Sequence, residues 1–517
     1  MVRRDADHGI TGGGAVRVQS KTYQPFQPVR RIGFRAEIAI VDADAKSNAS
    51  ASASGTSLPS DPAQTVDGIT RNPQTFATLE RNAWILDGNH AMMDSSAANL
   101  GWWSSAVSNA DGNFSDEVYI DYTFSQDAKT VGVIFLFAAG NQPAAGGMRI
   151  RTYDAGGNLL ADVYNTQSTP TQEIQFISTY RRMRVDFTKT VLPGRRIRML
   201  ELDFGVTQRF DADTISSAEI RYQTDLSSMS IPFGQLSIVV DNSDKRWNLL
   251  NPDGIYQYLE AGQKVSAWAN VDGEDVYMGA WSFYAAEAKD NALTAKITAV
   301  DPIALLDDGI YNGGRYVVVP LSEAIAEVLA DTGIACVYDG DIGGTQVALS
   351  VPQKTTKREA VRLLVQAAMC CVYADRGGNL HFARPNANAA VSGELTANEL
   401  YNFDGITISQ TYEALELIVK DDYTGTEIVY TAGTGTKIYT VKNPCIAPEN
   451  GDACAAWLLS HLSRRKDYDV KNRCDPAAEI ADTIKIQDAY GNNGTAVVSG
   501  IVISYDGGIS SILEASG

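Results

Sequence analysis

Apolar and polar residues alternate along much of this chain, the period of a β-strand with one face buried. The pattern is clearest from Tyr277 to Val300. Tyr277-Met-Gly-Ala-Trp-Ser-Phe-Tyr is followed by a polar break, Ala-Lys-Asp-Asn, and then by Leu293-Thr-Ala-Lys-Ile-Thr-Ala-Val. This predicts strand, turn and strand. The same sequence of elements returns at Ala496–Ile503, at the turn Tyr505-Asp506-Gly507-Gly508, and at Ile509–Ala515. The echo holds position by position, with Leu293 matched to Ile509, Ala295 to Ser511, Ile297 to Leu513 and Ala299 to Ala515. The lead-in strands match too, Gly262-Gln-Lys-Val-Ser-Ala against Ala481-Asp-Thr-Ile-Lys-Ile. One small β module is thus expected twice, with the rest of the chain hung on the two copies.

Taken in order, residues 1–32 are polar, Gly-rich and weakly patterned, as in an arm or loose terminus. Gly33–Val41 is a strand, and Lys46–Gly55 is a run of small residues that reads as a spacer with nothing to bury. Between Ser60 and Val206 short strands follow closely, at Val118–Phe124, Thr130–Phe137, Met148–Tyr153, Glu173–Phe176, Met183–Phe187 and Arg196–Phe204. That spacing predicts a β-sandwich or jelly roll. After the strand Gln235–Asn242, Trp247 and the stiff Asn251-Pro252 corner pin an irregular loop. Pro320–Gly333 is a helix closed by its glycine, and Thr356-Lys-Arg-Glu359 is a capping box. A second helix presents Val361, Leu364, Val365, Ala368 and Met369 on one face, and Cys371–Pro385 is a hairpin turning at Gly377-Gly378. Strands at Gly405–Gln410, Leu415–Lys420, Glu427–Thr431 and Lys437–Val441 lead to a helix over about Asn450–Arg465. Its basic end, Arg464-Arg465-Lys466, complements the helix dipole.

The fold class that follows is mainly β and multidomain: two related small β-barrels, an α/β domain between them, and an inserted sandwich. The expected boundaries are 1–32 for the arm, 33–45 plus 206–308 for the first barrel, and 46–205 for the sandwich with its spacer. The α/β domain takes 309–400, the second barrel 401–441 plus 468–517, and a small helical insertion 442–467.

Composition narrows the function. The 517 residues are 44% hydrophobic and 20% charged, ordinary for globular protein. A net charge of −19 argues against a sequence-independent nucleic-acid clamp, which needs basic patches; solubility is its plain reading. The N-terminus lacks the apolar region of a secretory signal, and the run Val131–Gly140 is far shorter than a membrane helix, so no membrane segment is expected. The six cysteines form no C-x-x-C pair and only four histidines exist, which disfavours structural zinc and suits synthesis in a reducing cytosol.

Catalytic signatures are missing. No G-x-S-x-G, H-E-x-x-H or Walker A loop occurs. Cys370 and Cys371 sit at the apolar end of a helix, where a thiolate is disfavoured; His381 and His461 read as packing residues. Asn109-Ala-Asp111-Gly-Asn113 has a calcium-loop texture, but Phe114 stands where an EF-hand requires glycine, so a turn is the better reading. The expectation is a non-enzyme with no cofactor and no metal. The rival class is a glycan hydrolase with a sugar-binding module, which turnover on cell-wall polysaccharide would reveal.

Two stretches carry family resemblances. Leu86-Asp87-Gly88 and Gly101-Trp102-Trp103-Ser104 resemble the discoidin-like galactose-binding modules found in prophage tail proteins. That likeness implies carbohydrate-binding candidates Trp102, Trp103, Asp111 and Asn113: indoles to stack on a sugar, polar groups to bracket hydroxyls. The competing reading puts Trp84 and one of Trp102 and Trp103 in the core. The second likeness is more specific. A strand ending in Asp241-Asn242, then Trp247, Asn251-Pro252, Tyr258 and Gly262, with the closing Tyr505-Asp506-Gly507-Gly508, resembles the hub proteins of phage tails and contractile injection systems. The resemblance implies a homotrimeric ring at the tail tip, made in the host bacterial cytoplasm. Six like barrels would then face the sixfold tail tube. The implied partners are tube and distal tail or baseplate proteins, a tape measure protein and a central fibre or spike. Genomic DNA would pass through without specific binding. The sandwich would touch host glycan or a neighbouring tail protein.

Overall fold

The computed structural model describes residues 29–57, 59–67, 80, 100–138, 144–248, 250–251, 254–288, 292–385, 390–401, 406–408, 411–420, 423–464, 466–487, 490–491 and 493–517. The expected N-terminal arm lies almost wholly outside them. So do Trp84, Leu86-Asp87-Gly88 and Pro252. The chain folds into two compact units, one of residues 1–37, 209–248 and 264–517, the other of residues 38–208 and 249–263.

The first unit holds both copies of the repeated module. One copy comprises β1 (Ile32–Val41, whose second half passes into the other unit), β2 (Ile215–Gln223), β3 (Gln235–Asp241), β4 (Lys264–Val271), β5 (Glu274–Glu287) and β6 (Thr294–Val300). The other comprises β7 (Gly393–Leu395), β8 (Ile406–Ile408), β9 (Lys466–Asn472), β10 (Thr483–Gln487), β11 (Asn493–Tyr505) and β12 (Ile509–Ser516). The pairing order is β2-β3-β6-β5-β4-β1 in one and β8-β9-β12-β11-β10-β7 in the other. Register agrees to the residue. Ser282 faces Val300 as Val497 faces Ser516, and one bulged residue, Tyr284 or Ser499, follows two positions later in each copy. Lys264 opposite Ser282 is matched by Thr483 opposite Val497, the lead-in alignment expected from the sequence. Alternation drives this: Ala295, Ile297 and Ala299 are buried on β6, and Ser511, Leu513 and Ala515 on β12.

The α/β part differs from the expected boundaries. Helices Leu321–Val328 and Lys357–Ala367 pack with the sheet of Cys336–Tyr338, Leu380–Ala383 and Cys371–Ala374. Thr356 caps the second helix, its Oγ1 accepting from the Glu359 N–H at 3.2 Å. Residues 414–441, expected in the second barrel, instead form with Lys442 a separate sheet of Ala414–Lys420, Glu427–Gly433 and Ile438–Lys442. Leu415, Leu417 and Val441 of that sheet share one core with Leu364 and Val365, as do Cys454 and Leu458 of the helix Gly451–Leu462. The helical insertion therefore belongs to this core too. Asn443, fully buried, fixes the joint: its Nδ2 donates to Leu363 O at 2.9 Å and to Gln366 Oε1 at 3.0 Å. From the stretch 401–441, among the described residues, β8 pairs with the barrel strands and the Tyr401 N–H donates to Lys471 O of β9 at 2.9 Å.

The second unit is the sandwich. Val118–Phe124 and Thr130–Phe137, expected as two strands, are one strand from Asn113 to Phe137, paired antiparallel with a second long strand, Thr171–Thr190. Register shifts between Thr123 and Ala128 and between Thr130 and Gly132 keep both ends in register with the partner. The supposed spacer is also structured. Asp42 Oδ1 accepts from the Ala45 N–H at 2.7 Å and caps the short helix Ala43–Asn48, and Ala49–Ala53 pairs with Ile120–Phe124. Ala49, Ala51 and Ala53 pack against the core while the serines between them point out. Residues 249–263, expected in the first barrel, group with this unit.

Candidate functional site

The repeated modules place one kind of edge in two different surroundings. On β11, residues Gly500–Tyr505 have β12 on one side and β2 on the other. The contact with β2 is antiparallel, with Arg221 opposite Val502 and Ile220 opposite Ile503. On β5 the corresponding residues Ala285–Glu287 pair with β6, while β4 ends its pairing at Ser282. No strand among the described residues lies on the other side of Ala285–Glu287. Exposure follows: Gly500, Ile501 and Val502 are buried, whereas Tyr284 and Glu287 are exposed and Ala285 and Ala286 half-buried. Leu293 is 65% exposed, and its counterpart Ile509 is 6% exposed. Likewise β2 pairs on both sides, with β3 and β11, and its counterpart β8 pairs, among the described residues, with β9 alone.

The motif residues read from the sequence are structural. Trp247 is buried against Phe210, its N–H donating to Asn242 Oδ1 at 3.0 Å. Asn251 O accepts from the Gly254 N–H at 3.0 Å, closing a turn, and Gly262 holds φ +89, where a side chain would be strained. Tyr258 is half-buried and lines a cleft in the second unit. Tyr505 is buried and stacks on Phe34 at 5.6 Å; Asp506, Gly507 and Gly508 form the exposed turn, with Gly507 at φ +93.

In the sandwich, the four carbohydrate candidates do not form one surface. Trp102 is fully buried beside Phe187, with Nε1 donating to Thr56 Oγ1 at 3.3 Å. Trp103 is 3% exposed, its Nε1 donates to Leu100 O, and the Arg198 guanidinium lies 4.2 Å from its ring centroid. Neither indole has a free face, so the core reading applies to both. Asp111 and Asn113 are exposed, and their N–H groups donate to Asn109 Oδ1 at 2.9 and 3.0 Å, which makes this run an Asx turn. Arg198 is itself buried and paired with Glu80 at 2.5 Å; burial lowers its pKa to about 10. On one sheet face Arg149, Arg151, Arg182 and Arg184 pair with Asp162, Asp186, Asp121 and Asp186. Arg149, Arg182 and Arg184 also cover Tyr164, Tyr153 and Tyr119, so this face presents neutralised charge and capped rings. A cleft of about 180 Å³ is lined by Asp42, Asp44, Asp127, Lys129 and Glu260, among others. Asp42 is committed there as the helix cap.

Burial pushes the thiols of Cys371, Cys454 and Cys474 up to about 12 and that of Cys370 higher, so they are inert as nucleophiles. His381 is buried, stacked on Tyr373 and bonded to Asp339 at 2.9 Å; burial lowers His461 to about 4. Among the described residues no group of His, Cys, Asp and Glu is arranged to hold a metal, and no helix is long and apolar enough to cross a membrane.

No family model and no curated protein matches the chain. Solved structures do. A tail protein from Neisseria meningitidis MC58 aligns over 60% of this chain and 94% of its own, at 12% identity and a TM-score of 0.45. The 43 kDa tail protein of prophage MuSo2 from Shewanella oneidensis aligns over 60% and 93%, at 14% identity and 0.41. The family 32 carbohydrate-binding module of C. perfringens NanJ, solved with galactose, aligns over 33% and 99%, at 15% identity and 0.22.

Proposed function

We propose that this chain is a structural hub protein of a bacteriophage tail tip, assembled as a ring of three copies that adapts the sixfold tail tube to the tip. The observation that carries the reading is the duplication within unit one: two modules with the same strand order, the same register and the same bulge. A threefold ring can present six like surfaces only if each chain repeats itself. The net charge of −19 suits a lumen that DNA must traverse without sticking. Tube, distal tail, tape measure and central fibre or spike proteins are the partners this role requires. The mass of the assembled particle tests it. A species of three chains with six modules around its axis is expected; a stable monomer throughout the micromolar range sinks the proposal. A contractile injection particle would use the same ring, and neighbouring genes separate the two.

The sandwich, a compact unit of its own, is proposed to contact host glycan. With both indoles buried, contact falls to exposed polar loops, Asp111 and Asn113 among them. A glycan array with the full chain is expected to show binding that Asp111→Ala and Asn113→Ala weaken. Binding unchanged by either substitution removes these residues from the site, and no binding at millimolar sugar leaves the sandwich architectural.

A further inference from the structure

We infer that β8 of one copy adds, antiparallel, to the open edge of β5 in the next copy, with Thr407 opposite Glu287. The inference rests on the ring reading and names the strands and register that would close it.

The template lies within a single chain. There the β2 edge of one module adds to the β11 edge of the other. Since the modules match strand for strand, each chain carries the same two edge types once more, on β8 and β5, and both are open among the described residues. Open strand edges present unpaired N–H and C=O groups that favour pairing with another chain. The contact is heterologous, one edge type meeting the other, and repetition of such a contact around an axis closes a ring. A second copy is therefore the occupant that supplies the missing strand to each edge.

Register follows from equivalence. Leu236 faces Ala299 and Ile220; Tyr468, its counterpart on β9, faces Ala515 and Ile406. Ile220, Arg221 and Tyr222 of β2 therefore correspond to Ile406, Thr407 and Ile408 of β8. Across the other edge, Ile501, Val502 and Ile503 correspond to Ala286, Glu287 and Ala288, because the two bulges coincide. Within the chain, Ile220, Arg221 and Tyr222 face Ile503, Val502 and Ile501. Between copies, Ile406 then faces Ala288, Thr407 faces Glu287, and Ile408 faces Ala286. The exposure differences fit. Val502 is buried and Glu287 exposed; Ile509 is buried and Leu293 exposed. The residues beside the unpartnered edge are those left in solvent.

Thr407 and Glu287 are both exposed in the single chain, so cysteines there do not disturb the core. Directly opposed residues in an antiparallel pair have Cα atoms about 4.5–5.5 Å apart, within the range a disulfide spans. The full chain carrying Thr407→Cys and Glu287→Cys is expected to give covalent multimers on mild oxidation. Neither single-cysteine variant should do so. Thr407→Cys with Ala285→Cys, a diagonal of roughly 7–8 Å, should not either. In the unmodified chain, the amides of 285–287 should exchange more slowly in the assembled form than in dilute monomer. A three-chain ring without the 407–287 link, or with the 407–285 link in its place, overturns this register and leaves the ring reading standing. Equal exchange in ring and monomer overturns the edge contact in the same way. A chain that stays monomeric overturns both.

Discussion

Trp102→Ala is expected to cost about 3–5 kcal/mol of the stability of the sandwich, the range for removing a large aromatic from a packed core. The indole is fully buried, its ring meets Phe187 at 5.6 Å between centroids, and its Nε1 bonds to Thr56. Truncation would leave a cavity bounded by strands whose long antiparallel pairing resists collapse, and would orphan the Thr56 hydroxyl. Chemical denaturation followed by the fluorescence of the remaining tryptophans measures it. A surface sugar platform would behave differently: substitutions at such exposed positions stay within about 0.5 kcal/mol and act on ligand binding alone. A stability change that small would put Trp102 back at the surface and reverse the core assignment.

Asp301→Asn is expected to flatten the fall in stability between pH 4 and pH 8. Asp301 is 5% exposed and caps the short helix Pro302–Leu305, accepting from the N–H groups of Ile303 at 2.9 Å and Ala304 at 3.3 Å and from that of Gly234. Burial raises its pKa from the ordinary 3.8 to about 7, against the pull of these backbone donors. A carboxyl with a raised folded-state pKa holds its proton after the unfolded chain has lost its own. Its contribution is therefore full below 3.8, declines as pH rises, and is gone above about 7. The gap corresponds to at most about 4 kcal/mol. Asparagine keeps an acceptor for the cap and has no proton to lose. The variant should gain on the native chain as pH rises from 4 to 8, by up to about 4 kcal/mol on the same scale. Parallel stability–pH curves for the two proteins would show that the backbone N–H groups hold Asp301 ionised.

Much of the architecture was legible from periodicity, because a strand with one buried face writes that face into alternate positions. The echo of Leu293–Ala299 in Ile509–Ala515 and of Gly262–Ala267 in Ala481–Ile486 gave alignments that the hydrogen-bond register reproduces. Helix signals were equally local: the Thr356 cap and the apolar face around Leu364 need only neighbouring residues. Three features were not legible. Ala49–Ala53 buries only methyl groups, so its alternation of alanine with serine carries little hydrophobic contrast, and its pairing with Ile120–Phe124 is set by a distant strand. The strands of 414–442 alternate as barrel strands do, yet they pack on the helix Gly451–Leu462 and share a core with the helix Lys357–Ala367, to which the buried Asn443–Gln366 bond ties them. Trp102 and Trp103 carry the same indole whether it faces a sugar or Phe187, and only the enclosing strands distinguish the two.

By itself, then, the sequence determined that the chain is mainly β, that one module occurs twice, and which residues correspond between the copies. Local alternation and capping carry that information without reference to distant parts. The tertiary structure alone decided which strands share a core, that both candidate indoles are buried, and that one copy of each edge is paired while its twin is open among the described residues. Those facts depend on which distant segments meet. An alternating strand specifies an inside and an outside, but its backbone donors and acceptors are the same for any neighbour.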